Sequence, residues 1–77
     1  MMTDQQMVQV LTNLCQAYAN SDNTAIARLE PEATKIGEEL NARGGMNEMR
    51  RIFATVPNVR GKGTVEMHWG GIGDWRG

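Results

Sequence analysis

A chain of 77 residues has room for one hydrophobic core, and its single cysteine, Cys15, excludes an internal disulfide. With one histidine, His68, it lacks the soft ligands of a structural zinc site, and a net charge of −1 is not that of a dedicated nucleic-acid binder. No stretch approaches the roughly 18 apolar residues of a membrane span, and the first residues lack the basic-then-apolar order of a leader, so one cytoplasmic domain over 1–77 with no membrane partner is expected.

The first element is a helix from Asp4 to Ala19, because Met7, Val10, Leu11, Leu14, Cys15 and Tyr18 recur at steps of three and four. Thr3 followed by Gln6 has the form of a capping box. The run Asn20-Ser21-Asp22-Asn23 ends the helix, since these short polar side chains compete for backbone hydrogen bonds. Beyond it, Ile26, Leu29, Ala33, Ile36 and Leu40 keep a helical period through Pro31. Proline lacks an amide hydrogen and disfavours helix at the preceding residue. The expectation is therefore a short turn over 24–29, a break at Glu30, and a new helix with Pro31 in its first position and Glu32 at its positive end. Gly44-Gly45 after Arg43 should end that helix. Gly37 within it costs about 1 kcal/mol relative to alanine, which points to a close crossing by another helix.

A third helix is expected from Met46 to Val56, with Met49, Ile52, Phe53 and Val56 on one side and Pro57 closing it. Residues 58–63 read as a loop. Val65, Met67 and Trp69 alternate as in a strand, while Val65, Trp69 and Ile72 fit a helical face. A short helix is favoured because a lone strand has no partner here. Gly70 to Trp75 is then a glycine-rich turn carrying an apolar hook. The fold class that follows is all-α: a small helical bundle of three main helices with a short fourth C-terminal element. Its core is Met7, Leu11, Leu14, Tyr18, Ile26, Leu29, Ile36, Leu40, Met49, Ile52, Phe53, Val65 and Trp69.

Sites of known chemistry do not assemble. Gly61-Lys62-Gly63-Thr64 separates lysine from threonine and lacks the earlier glycine of a phosphate loop, and Gly71-Ile72-Gly73 is followed by Arg76 where a dinucleotide fingerprint needs glycine. Cys15 falls on an apolar face and Ser21 in a loop. Glu66, His68 and Asp74 have no specific metal spacing. No catalytic, cofactor or metal residues are assigned, and an enzyme is not expected.

Contact is the better reading. Residues 1–42 hold two basic and six acidic side chains, a net of −4, and residues 43–77 hold six basic and three acidic, a net of +3. Either the halves fold against each other with complementary fields, or Arg50, Arg51, Arg60 and Lys62 form a phosphate-facing patch for weak RNA or DNA binding. Trp69 and Trp75 flank three glycines in a chain with only Tyr18 and Phe53 as further aromatics. Both fit a core, yet Trp75, two residues from the last, is a partner anchor if exposed. The expected contact surface is Trp75, Ile72 and Asp74 with Met46 and Arg50, serving a protein partner or self-association.

The segments Ile36-Gly37-Glu38-Glu39-Leu40-Asn41-Ala42-Arg43-Gly44-Gly45 and Trp69-Gly70-Gly71-Ile72-Gly73-Asp74-Trp75 resemble short uncharacterised bacterial proteins with a C-terminal W-x-G-I-G-x-W signature. Gly70 stands where an acidic residue is expected. The resemblance covers about the second half of the chain and brings no activity, cofactor or partner. It implies a bacterial cytosolic setting and a tail that is a defined element.

Overall fold

The structure, a computed structural model, describes residues 2–57 and 63–75. The chain is all-α, and its described residues form three helices: α1 (Asp4–Ala19), α2 (Asn23–Thr55) and α3 (Gly63–Trp69).

Helix α1 opens with the expected box. The Thr3 hydroxyl accepts from the Gln6 amide at 3.1 Å, and the Gln6 side-chain oxygen accepts from the Thr3 amide at 2.9 Å. Its exit is more specific than composition suggested. Ser21 takes a left-handed φ of 53°, the Ser21 amide donates to the Tyr18 carbonyl and the Asp22 amide to the Ala17 carbonyl. That is a Schellman closure, with serine where glycine is usual. Asp22 then caps α2, its carboxylate accepting from the Ala25 amide at 3.2 Å.

Helix α2 corrects one expectation and bears out another. It does not break at Glu30 or restart at Pro31; the only non-helical backbone inside it is at Gly44 and Gly45. Pro31 is tolerated because both it and Ala27, whose carbonyl loses its amide donor, are exposed, so water can serve that oxygen. Meanwhile Leu29, Ala33, Ile36 and Leu40 stay buried on one face across the proline. The break expected at Gly44-Gly45 is present: both residues leave helical geometry, Gly45 at φ 66° and ψ −150°, a backbone state open to glycine, so the run 23–55 is two helices joined at a kink. The kink divides α2 into a long arm, 23–43, and a short arm, 46–55.

Residues 63–69 are helix and not strand. Val65 and Trp69 are fully buried four residues apart, while Met67, which an alternating strand would bury with them, is 62% exposed. After α3 the chain folds back on itself. The Ile72 amide donates to the Trp69 carbonyl at 3.0 Å, the Trp75 amide to the Ile72 carbonyl at 3.0 Å, and the Gly71 amide to the Trp75 carbonyl at 3.1 Å. Gly71 and Gly73 hold φ of 89° and 55°, the left-handed turns that this reversal needs.

The core joins Met7, Leu11, Leu14 and Cys15 of α1 to Leu29, Ala33, Ile36, Leu40, Met49 and Ile52 of α2, with Val56, Val65, Trp69 and Trp75. Tyr18, Ile26 and Phe53, expected in the core, are only partly buried against it. Each keeps one edge at the surface. Cys15, Ala17, Ala33, Val56 and Trp75 complete it.

Gly37 shows why the short helix sits where it does. A Cβ at Gly37 would lie 2.6 Å from Cδ1 and 2.7 Å from Nε1 of Trp69, and 3.0 Å from Cδ1 of Ile72. The indole therefore lies directly on the backbone of α2. Its Nε1–H donates to the Ala33 carbonyl at 3.0 Å, which satisfies the only polar atom of that buried ring.

Candidate interaction site

Beside the ion pairs around Asp4, two arrangements of side chains stand out among the described residues, and they differ in whether their polar groups are paired. The first is a hollow of about 290 Å³ lined by Met46, Arg50, Phe53, Glu66 and Trp75. Met46, Arg50 and Phe53 come from the short arm of α2 at spacings of four and three, which puts them on one helical face immediately after the kink. Glu66 comes from α3, and Trp75 from the tail that the glycine turns fold back.

Trp75 is 8% exposed, so it lies in the core and is no free anchor. Its ring meets Trp69 edge-on at a centroid distance of 5.1 Å and Phe53 at 5.5 Å, and Phe53 meets Trp69 at 6.2 Å. Edge-to-face contacts of this kind contribute about 0.5–1.5 kcal/mol each beyond burial. The Trp75 Nε1–H is buried and has no hydrogen-bond partner among the described residues. Arg50 and Glu66 are exposed on the wall of the hollow. Neither forms an ion pair with the other or with any other described residue.

The remaining residues proposed from sequence lie elsewhere. Ile72 turns inward, its Cδ1 close over Gly37, and Asp74 is exposed without lining the hollow. Arg51 is committed: its guanidinium donates to Glu48 at 2.7 and 2.9 Å and to Asp4 at 2.9 Å. Arg43 reaches the other Asp4 oxygen at 3.3 Å and Glu39 at 3.7 Å. The Arg51 hydrogen bonds, aided by the charges of Arg51 and Arg43, hold the carboxyls of Asp4 and Glu48 below their ordinary values. Arg51 itself is held above its ordinary value by Glu48 and then Asp4. Arg60 and Lys62 lie outside the described residues, so of the basic patch only Arg50 stands open among those described. The uneven charge of the two halves is instead partly neutralised within the molecule, where Asp4 meets Arg43 and Arg51.

The second arrangement joins all three helices through paired groups. The Tyr18 hydroxyl donates to Glu30 Oε2 at 2.5 Å, and His68 Nε2 lies 2.9 Å from the same oxygen and 3.3 Å from the Tyr18 hydroxyl. Accepting carboxylate and partial burial raise the Tyr18 hydroxyl above its ordinary value, the hydrogen bond to Glu30 contributing most. This cluster ties α1, α2 and α3 together at one place. Glu66, His68 and Asp74 do not converge, and among the described residues no three His, Cys, Asp or Glu side chains could hold a metal. Cys15 is fully buried.

Sequence reasoning missed Phe53 and Glu66 as lining residues. Phe53 had a signal, the spacing Met46, Arg50, Phe53 along one face. Glu66 had none, because it reaches the hollow through the placement of α3. No family model matches the chain, and no curated protein or solved structure matches it.

Proposed function

We propose that this chain is a small protein-interaction or regulatory module, a helical bundle of the bacterial cytosol, whose contact surface is the hollow formed by Met46, Arg50, Phe53, Glu66 and Trp75. The observation that carries the reading is a contrast in pairing. Arg43 and Arg51 of the same helix are both engaged by carboxylates, whereas Arg50 and Glu66 have no ion-pair partner among the described residues and stand beside two aromatic rings and a thioether. Adaptable methionine, an aromatic floor and an arginine on the wall are the composition of interaction hot spots.

Trp75→Ala is a poor test, because Trp75 belongs to the core and its loss would loosen the fold. Met46→Lys and Arg50→Glu change the wall of the hollow and leave the buried rings in place. In affinity capture from the native cytosol, run with and without nuclease, both variants should lose a nuclease-resistant partner while keeping wild-type helix content by circular dichroism. Retention of that partner by both variants overturns the reading. Recovery that disappears with nuclease, in wild type and variants alike, transfers the function to nucleic-acid binding, with affinity falling steeply as salt rises.

A further inference from the structure

We propose that the tail after α3 is a strap that opens as a unit, lifting Trp75 out of the core and baring the Phe53 and Trp69 rings while the rest of the bundle stays folded. Whatever the hollow binds, the tail is held in a way that permits this. Every hydrogen bond of residues 70–75 to a described residue stays within 67–75: the Gly70 amide donates to the Met67 carbonyl, Ile72 to Trp69, Trp75 to Ile72 and Gly71 to Trp75. Among the described residues the tail is therefore tied to α3 and to itself, and it is seated on α2 by packing. Ile72 lies over Gly37, Gly73 against the Asn41 side chain, and Trp75 edge-on to Phe53.

The two buried indoles also differ. The Trp69 Nε1–H donates to the Ala33 carbonyl, whereas the Trp75 Nε1–H has no hydrogen-bond partner among the described residues. A buried donor left unmatched opposes burial, because water serves it once the ring is out. Trp69 loses a bond by leaving, and Trp75 gains one. The turn that seats Trp75 is left-handed at Gly71 and Gly73, and a Cβ at Gly71 would meet nothing within 4 Å. At Gly71 the closed state thus needs glycine for its backbone and not for its space. Opening separates one ring from two others and leaves between them a slot shaped to one indole, on the wall of the hollow that Trp75 lines.

Native-state hydrogen exchange, read by NMR on the full chain in increasing low urea, tests this. The amides of Ile72 and Trp75 should be protected at least about tenfold over an unfolded chain, yet at least about tenfold less than the amides of Leu11, Leu14 and Ile36 in the core, since a local opening costs less than global unfolding. The Trp75 indole should exchange with the tail amides and ahead of the Trp69 indole. Tail exchange should change little with urea while core exchange climbs, because urea dependence follows the surface exposed. Gly71→Ala strains the closed turn and should speed the tail protons by about five- to thirtyfold. Tail protons that share the protection and the urea dependence of the core overturn the proposal, since the tail then leaves only on global unfolding. Tail protons with no protection overturn it as well, because no closed state then exists, and so does a Gly71→Ala variant whose tail exchanges at the wild-type rate.

Discussion

Where α3 and the tail after it meet the two arms of α2, contact is made by three rings and a glycine. Where α1 meets the kink, one exposed carboxylate holds two guanidinium groups. Both contacts position the short arm of α2, but they respond to different conditions. The aromatic corner works by shape: Trp69 fits because Gly37 has no Cβ, and its one polar atom is bonded to Ala33. The Asp4 staple works by charge in contact with water, where ion pairs contribute little and are screened by salt. Shape therefore carries the stability of this small core, and charge sets the relation between its parts.

The largest effect expected is that of Gly37→Ala. By helix propensity alone it should stabilise, by about 1 kcal/mol, but the added methyl would strike the Trp69 indole, which is fully buried and cannot swing away. Overpacking of this kind costs about 1–3 kcal/mol, and in a domain of this size thermal unfolding should move down by roughly 5–15 °C. A rise in the midpoint would mean that the corner is held by something other than close approach.

Asp4→Asn should have a smaller effect, and one that depends on conditions. Asp4 and Glu48 are held below their ordinary values of 3.8 and 4.5. A carboxyl depressed on folding contributes stability that is present above its unfolded value and lost as the pH falls through its folded one. The difference in midpoint between wild type and variant should therefore be present near neutrality, shrink below about pH 4, and shrink again in about 1 M salt. A difference that ignores both would assign Asp4 to shape and remove the contrast. Gly37→Ala should respond to neither.

The smallest effect expected lies in neither region. Ser21→Gly relieves a left-handed residue in the α1 closure and should stabilise by about 0.5 kcal/mol, because the relief exceeds the extra chain entropy of glycine. Chemical denaturation would resolve it, and a loss of stability would show that the serine hydroxyl contributes more than its backbone costs.

Much of the fold was legible because period decides it. The apolar steps of α1, the Thr3–Gln6 box and the burial of Leu29, Ile36 and Leu40 follow from spacing alone. The failures have a common cause, since each depends on what lies across space. Pro31 breaks a helix only if the freed carbonyl lacks water and the register is not held by packing; here Ala27 is exposed and the long arm is anchored on both sides. Trp75 could be placed neither in nor out because its position is set by left-handed turns at Gly71 and Gly73. Arg50 and Arg51 look alike in sequence, yet one is tied to Asp4, 47 residues away, and the other is open. The candidate site was legible as Met46, Arg50 and Trp75, whereas Glu66 and the inward turn of Ile72 required the tertiary arrangement.

The Asp4 carboxylate touches Arg43, the last turn of the long arm, with one oxygen and Arg51, in the short arm, with the other. Between them lie Gly44 and Gly45, where the backbone leaves helical geometry. The first turn of α1 thus acts as a strut across an elbow, and the angle of that elbow fixes where Met46, Arg50 and Phe53 stand relative to α3. The shape of the proposed contact surface is in this sense set from the first turn of α1, by a residue that is not among those lining the hollow.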